Sequence, residues 1–506
     1  MSNQINNKLI AKNTFVLYLR MLFTLAVSLF TTRELLRILG VEDFGLYNVV
    51  GGVVLMFGFL NNAMIASSQR FISFALGEGD NVKQKRVFST SILIHLTIAI
   101  VILLLAETVG LWFLNNKMTI PFDRYQAVNW VYQAAIASFV LQIIQVPFSA
   151  SVIAHEKMSF YACISIMDAT LKLIIVYILT LVDIDKLKLY AILLLSISIL
   201  NLALYFIYTR IKFVECRFTT QIDKPLFNDM FRFAGWSFIG NFGFTAKDYG
   251  VNIILNIFCG PSVNAARGIA YQVMNAVNGF VGNFQTAMNP QITKRYATGE
   301  VDSMISLVLN GSRYSFYLLS IIIIPLFIRA DYVLELWLDE VPDMALHFLH
   351  LTLIMGIINS MHGPIVTAMQ ATGRIKLFQI TIAIIMVLDI PISFLLMKLG
   401  VAPYSVMYSA IGTAFIGLVA RILLLHRIIK INLKDFFITL IFRNIAILFI
   451  MFIPALYVSQ FIPMTFYGLG IFCLISLIWS CFVLYFSLTL NERNMIYSWI
   501  YKMINK

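Results

Sequence analysis

The sequence predicts an all-α polytopic membrane protein of 14 transmembrane helices, two pseudo-symmetric six-helix lobes followed by a C-terminal helical hairpin, and three observations lead there. Of 506 residues, 60% are hydrophobic and 12% charged, against roughly 45–50% and 25% in an average soluble domain. Apolar runs of about 20 residues, the length that crosses hydrocarbon, recur along the whole chain. The residue-by-residue alternation of a transmembrane barrel is absent, which leaves helices as the way to satisfy backbone polar groups inside lipid.

Charge-poor stretches between charged loops place the spans at 13–36, 45–70, 87–110, 126–153, 159–181, 189–209, 230–257, 263–290, 304–328, 344–370, 377–397, 404–426, 437–460 and 464–488. The first follows a polar, basic start with no small-residue cleavage site, so it is expected to stay as an anchor. The last two lie in one uncharged stretch, Asn444 to Asn491, with Pro454 and Pro463 near its middle. That stretch is too long for a single crossing and reads as a hairpin. With the N-terminus inside, 25 of the 37 Lys and Arg residues fall on cytoplasmic segments, nine on the opposite side and three within spans. The positive-inside rule expects this bias, so both termini are expected in the cytoplasm. The net charge of +12 is then largely a consequence of topology and does not imply a nucleic-acid partner.

Other chemistry is not indicated. The five cysteines, Cys163, Cys216, Cys259, Cys473 and Cys481, have no C-x-x-C spacing and predict neither a disulfide framework nor a zinc site. Asp343, His347 and His350 near the mouth of span ten read as interfacial solvation rather than a metal face. No P-loop, zinc motif or nucleophile elbow occurs. The longest extracytoplasmic segment, about residues 111–125, is too short to fold as a catalytic domain. An enzyme is therefore not expected, and no cofactor is called for.

An internal duplication organises the chain. Gly40-Val-Glu-Asp-Phe-Gly after span one pairs with Gly260-Pro-Ser-Val-Asn-Ala after span seven at an offset of 220. The exits of spans two and eight, running from Gln69 to Glu78 and from Gln291 to Glu300, pair at 222. Pro147 and Lys157 pair with Pro364 and Arg374 at 217. Six spans per repeat make the halves parallel, an arrangement of secondary transporters whose sites lie near the repeat interface. The expected organisation is an N-terminal lobe at 1–210, an interlobe linker at 211–229, a second lobe at 230–430, and a hairpin with a cytoplasmic tail at 431–506.

Candidate site residues lie on polar stripes read at 100° per residue. Span one carries Asn13, Arg20, Thr24 and Thr31; span two carries Asn48, Gly52, Asn62, Gln69 and Ser73. Span five carries Tyr161, Ser165, Asp168 and Lys172, the last two at the spacing of a helical ion pair. Span seven carries Ser237, Asn241, Thr245, Asp248 and Asn252 with Lys247 on its flank; span eight carries Asn264, Tyr271, Asn275, Asn278, Gly282 and Asn289 with Arg267 at its margin. No acid stands three or four positions from Arg20 or Lys247, and intramembrane cations are costly enough to need a wet cavity or a partner. Asp389 in span eleven could pair with either or bind a coupling cation. Amide-lined faces with intramembrane cations suit a solute bearing many hydroxyls and an anionic group such as phosphate. Arg20, Lys247, Arg267, Asn275 and Asn278 are thus candidate substrate-binding residues, and Asp168, Lys172, Asp248 and Asp389 candidate ion-coupling or charge-pair residues.

The Leu39-Gly-Val-Glu-Asp-Phe-Gly-Leu-Tyr47 turn, the Ser68-Gln-Arg-Phe71 exit, the Ala371-Thr-Gly-Arg374 loop and the Asn-rich basic start with Arg20 resemble the O-antigen (Wzx-type) flippases of the multidrug/oligosaccharidyl-lipid/polysaccharide (MOP) exporter superfamily. The resemblance implies a MATE-like bundle with a cationic cavity that passes undecaprenyl-pyrophosphate-linked oligosaccharide across the bacterial inner membrane by alternating access, with Arg20 as a cavity cation. It further implies membrane lipids and a polysaccharide polymerase or chain-length protein as partners, and leaves coupling to H+ or Na+ open. The related multidrug extruders usually carry a carboxylate in the first lobe; span one has Arg20 and no central acid, although Asp168 keeps a cation-coupled multidrug extruder as the alternative.

Overall fold

The computed structural model describes residues 2–55, 58–117, 122–182, 184–217, 219, 223–338, 341–490 and 492–494. Its elements are all helical among the described residues. In chain order they are α1 (Ser2–Leu55), α2 (Gly58–Glu78), α3 (Asn81–Leu105), α4 (Leu111–Lys117), α5 (Tyr125–Ala154), α6 (Met158–Leu181), α7 (Lys186–Lys212), α8 (Lys224–Cys259) and α9 (Pro261–Ala297). There follow α10 (Val301–Ile328), α11 (Ala330–Trp337), α12 (Ala345–Ser360), α13 (Gly363–Thr372), α14 (Lys376–Val387), α15 (Asp389–Lys398), α16 (Val406–Ile429), α17 (Leu433–Phe437), α18 (Asn444–Ser459) and α19 (Phe466–Ser487). The side chains of Asn48, Gly52 and Asn62, and the tail residues Lys502 and Lys506, lie outside the described residues.

Eleven helical stretches among the described residues are long and apolar enough to cross a membrane, which makes this a multi-pass membrane protein. They match the predicted spans except the second, seventh and eighth, which fall on α2, α8 and α9. The second runs from the end of α1 across residues outside the described set into α2, whereas α8 and α9 are helical but too polar to qualify by composition. At 36 and 37 residues, α8 and α9 are each about 55 Å long, well over the roughly 30 Å of bilayer hydrocarbon, so amide and charge content sets them apart and length does not.

Backbone geometry repeats along the chain. Within α1 the helix breaks at Gly40, whose φ of 78° is matched by 81° at Gly260. Both lie in the positive-φ region that favours glycine, and they stand 220 apart. The second landmark needs a corrected register. The sequence pairs Gly77 with Gly299 at 222, but Gly79 is the residue that takes positive φ (75°, against 78° at Gly299), restoring 220. Helix ends follow the turn conformation, and the Gly-Glu letters at 77–78 belong to the last turn of α2. At 217, Glu156 (φ 59°) pairs with Gly373 (φ 73°).

Contacts divide the chain into two compact units. The first comprises Met1–Phe242, Thr286–Met304 and Gln370–Ile380. Its core centres on α5, whose Val131, Tyr132, Ile136, Phe139 and Ile143 pack on Ala99 and Ile102 of α3 and Leu187 and Ala191 of α7. At the π-helical turn Ala106–Gly110 the Ala106 carbonyl accepts the Leu111 N–H, and the Tyr132 hydroxyl also donates to it at 2.7 Å, so this buried hydroxyl has a partner that lipid could not supply. The second unit comprises Gly243–Gln285, Ile305–Met369 and Thr381–Lys506. There Ala266, Ala270 and Met274 of α9 meet Leu349 and Leu353 of α12 and Met407, Ala410 and Ala414 of α16. Lipid is as apolar as leucine, so such contacts rest on close packing and small residues. Gly243 and Gly250 of α8 show this: an added Cβ would lie 2.8 Å from the Ala383 Cα and 2.9 Å from Ile390.

Candidate functional site

In the first unit, Thr24 and Thr31 of the span-one stripe and the whole span-five stripe form part of the wall of a cavity of about 900 Å³. Thr24, Ser28 and Thr31 of α1, Gln142 and Gln145 of α5, Tyr161, Ser165, Asp168 and Lys172 of α6, and Asn201 of α7 face it. Asp168 is held by Lys172 at 2.8 Å and by the Asn201 amide, which donates at 2.8 Å. The predicted helical pair therefore forms, with a third polar partner supplied by α7. Arg20 lies beside the cavity: its guanidinium donates to the Ser165 hydroxyl at 3.4 Å and stands 5.0 Å from the Tyr161 ring centroid.

In the second unit, Lys247 and Asp389 pair at 3.2 Å with both side chains almost fully buried, and Lys247 also donates to the Thr413 hydroxyl at 3.2 Å. The Ser409 hydroxyl donates to the same carboxylate. Of the two cations considered for Asp389, Lys247 is the one beside it in this structure. Arg267, with a side chain 5% exposed, donates to Asp248 at 2.5 Å, Asn252 at 2.9 Å and the Tyr271 hydroxyl at 3.1 Å. The stripes of spans seven and eight thus meet through Arg267, whose carboxylate partner Asp248 is 40% exposed. Asn275 and Asn278 are exposed on α9. Each intramembrane cation sits beside an acid or a polar and aromatic cage, the arrangement that makes its burial tolerable.

Two polar junctions escape the helix-stripe reading because they lie at turns. Glu156, buried in the α5–α6 turn, accepts from Lys294 at 2.6 Å and Gln291 at 2.6 Å on α9, while Asn13 donates to its backbone carbonyl at 3.3 Å. At the repeat-related turn, Arg70 of α2 donates to the Gln370 and Ala371 carbonyls at 3.1 Å each and lies over Phe71 and Phe74. The Ser68–Phe71 and Ala371–Arg374 motifs therefore touch. The one available signal for Glu156 was its match to Gly373 at the offset of 217. Elsewhere His350 bonds the Phe327 carbonyl and His347 stacks on Tyr404, and no metal-holding group of three occurs among the described residues.

A many-spanning helical bundle with intramembrane cations and a polar hollow defines the class, a multi-pass membrane protein. Residues 10–295 match the family model described as polysaccharide biosynthesis protein, and the chain belongs to that family. A curated relative, the uncharacterized membrane protein EpsK of Bacillus subtilis (strain 168), is 19% identical over 305 residues. That alignment spans 59% of each chain, so the match covers about three-fifths of the relative's length. The fold is similar to a multidrug resistance MATE family transporter of the MOP superfamily in an outward-facing conformation (TM-score 0.73, 11% identity, 84% of this chain and 96% of that one). It is also similar to a MOP superfamily transporter from Pyrococcus furiosus whose binding pocket is described as reversed in polarity (TM-score 0.68, 12% identity, 83% and 96%). The fold is MATE-like.

Proposed function

We propose that the protein is an inner-membrane flippase that moves lipid-linked, undecaprenyl-pyrophosphate-type oligosaccharide for surface polysaccharide synthesis by alternating access. The observation that carries this reading is the set of buried cations on amide-rich helices. Lys247 and Arg267 sit on or beside polar stripes inside the membrane, where only a polar or anionic cargo gives them a use beyond their resting partners. In this reading α2, α8 and α9 complete fourteen crossings, both termini are cytoplasmic, and residues 1–210 and 230–430 act as lobes joined by 211–229. The hairpin of 431–506 is an accessory or partner surface, where a polymerase or chain-length protein would dock.

Arg20 in the first unit and Arg267 in the second are each a candidate cation for the pyrophosphate. The exposed Asp248 yields Arg267 to the incoming phosphate, because Arg matches phosphate oxygens in a forked geometry. Asn275 and Asn278 donate to and accept from sugar hydroxyls. Lys247 with Asp389 forms a charge pair that couples lobe movement to a cation, and Asp168 with Lys172 forms a second, with H+ or Na+ as the ion.

The test is export in cells carrying Arg20→Ala or Arg267→Ala. The expected result is loss of surface polysaccharide, with lipid-linked units retained on the cytoplasmic leaflet and protein level unchanged. Normal export in both variants would remove these cations from the mechanism. The MATE-like fold and the Asp168–Asn201 cavity favour one second reading, a cation-coupled multidrug extruder. A drug-resistance phenotype on expression, with polysaccharide unaffected by deletion, would select it.

A further inference from the structure

Helices α8 and α14 pack side by side in the same direction: Lys376 stands over the Trp236 ring at 5.1 Å, and an added Cβ on Gly240 would run into Gln379. Where this pair begins, a shallow pocket of about 390 Å³ is lined by Arg374, Lys376, Leu377 and Ile380. Trp236 lies one helical turn beyond Arg232 on the same face of α8, so Arg232 is aligned with the start of the pair. Arg232, Arg374 and Lys376 are exposed, and none of the three makes an ion pair among the described residues. Lys376 is also the first residue of a candidate membrane span, which puts the three cations at the depth of lipid headgroups.

We propose that this pocket is a binding site for the phosphate headgroup of an anionic phospholipid. The chemistry is complementary on both sides of the interface. Arg374 and Lys376, which line the pocket, and Arg232, aligned beside it one turn beyond Asp229, meet the phosphate; basic pockets at the ends of transmembrane helices attract such headgroups. Leu377, which is 49% exposed, and Ile380 continue from the pocket into the span as a surface for an acyl chain. Trp236 supplies the amphipathic ring favoured at this depth. The occupant is a resident phospholipid rather than the transported cargo, so the proposal stands apart from the flippase reading.

The experiment is bromolipid quenching of the full-length protein in phosphatidylcholine vesicles containing a minor fraction of brominated phosphatidylglycerol or brominated phosphatidylcholine. Subtracting the Trp236→Phe variant isolates Trp236 from the other tryptophans. Stronger quenching by phosphatidylglycerol is expected, and each cation removed should weaken that preference by about fivefold. The Arg232→Gln/Arg374→Gln/Lys376→Gln variant should therefore lose it, while Arg232→Lys/Arg374→Lys/Lys376→Arg, which keeps the charge, should retain it. Equal quenching by the two lipids, or an undiminished preference in the glutamine variant, overturns the site. Displacement of phosphatidylglycerol by an equal mole fraction of a polyprenyl pyrophosphate, at least about tenfold beyond simple competition, reassigns the pocket to the cargo and overturns the phospholipid assignment.

Discussion

Glu156 shows how much one backbone angle can carry. It holds φ at 59° where a non-glycine residue is strained by roughly 1–2 kcal/mol, and its repeat-related position is filled by Gly373. The side chain offsets that strain by accepting from Lys294 and Gln291. Once the carboxylate is removed, only the strain remains. Glu156→Gly should accordingly be more stable than Glu156→Ala by about 1 kcal/mol, measured by thermal unfolding of the purified protein; equal stabilities would remove backbone strain from the account. Gly373 gives a companion test. An alanine there takes the same penalty as one at Gly400, which shares its φ of 73° but faces open space. In addition its Cβ would lie 2.9 Å from the Arg70 guanidinium and push it off two carbonyls. Gly373→Ala should cost about 1 kcal/mol more than Gly400→Ala, the net worth of the displaced charge-assisted bonds.

At the scale of elements, the sequence was legible wherever a single helix carried its own signal. Hydropathy located eleven spans directly, and the α6 stripe lines the cavity together with Thr24 and Thr31 of the α1 stripe, whereas Asn13 and Arg20 of that stripe do not line it. The stripes on α8 and α9 also met, since Asp248, Asn252 and Tyr271 converge on Arg267. What stayed hidden depended on pairs far apart in the chain. Lys247 and Asp389 are on different helices, and the Glu156 and Arg70 junctions sit at turns, where helical periodicity says nothing. The linker is a further case. Glu215 at its start is nearly buried and accepts from His155 in the α5–α6 turn, with Phe213 stacked on that ring at 3.9 Å. Burial alone would raise the Glu215 pKa, but the bond from His155 and nearby backbone donation outweigh it and hold the carboxyl below its ordinary value. A depressed carboxylate adds stability that is fully present above the unfolded pKa and is lost as pH falls through the folded one. Unfolding midpoints of the native protein should therefore drop as pH falls below the ordinary carboxylate range, and Glu215→Gln should flatten that part of the profile. An identical acid limb in the variant would show that the clamp contributes nothing.

Across the whole molecule, chain order and compactness divide the protein differently. The first unit recruits Thr286–Met304 and Gln370–Ile380, segments that belong to the second repeat, and the two turn junctions are what tie them in. The α5–α6 turn of the first repeat grips the end of α9 through Glu156 and Lys294, and the related turn of the second repeat, at Gln370 and Ala371, grips α2 through Arg70. The duplication thus places a reciprocal pair of clasps within one unit. The first is asymmetric: the Glu156 side chain is 6% exposed and that of Lys294 26%. Removing the cation leaves a buried carboxylate with only Gln291 beside it, whereas neutralising the acid leaves an ammonium that water can reach. Lys294→Ala should therefore lower stability by about 2 kcal/mol, and Glu156→Gln by clearly less, because an amide can still bond Gln291. The double variant should resemble Glu156→Gln alone, with a coupling of about 1 kcal/mol or more. Strictly additive losses in thermal unfolding would mean that the two residues stabilise the protein independently, and the clasp would have no energetic content.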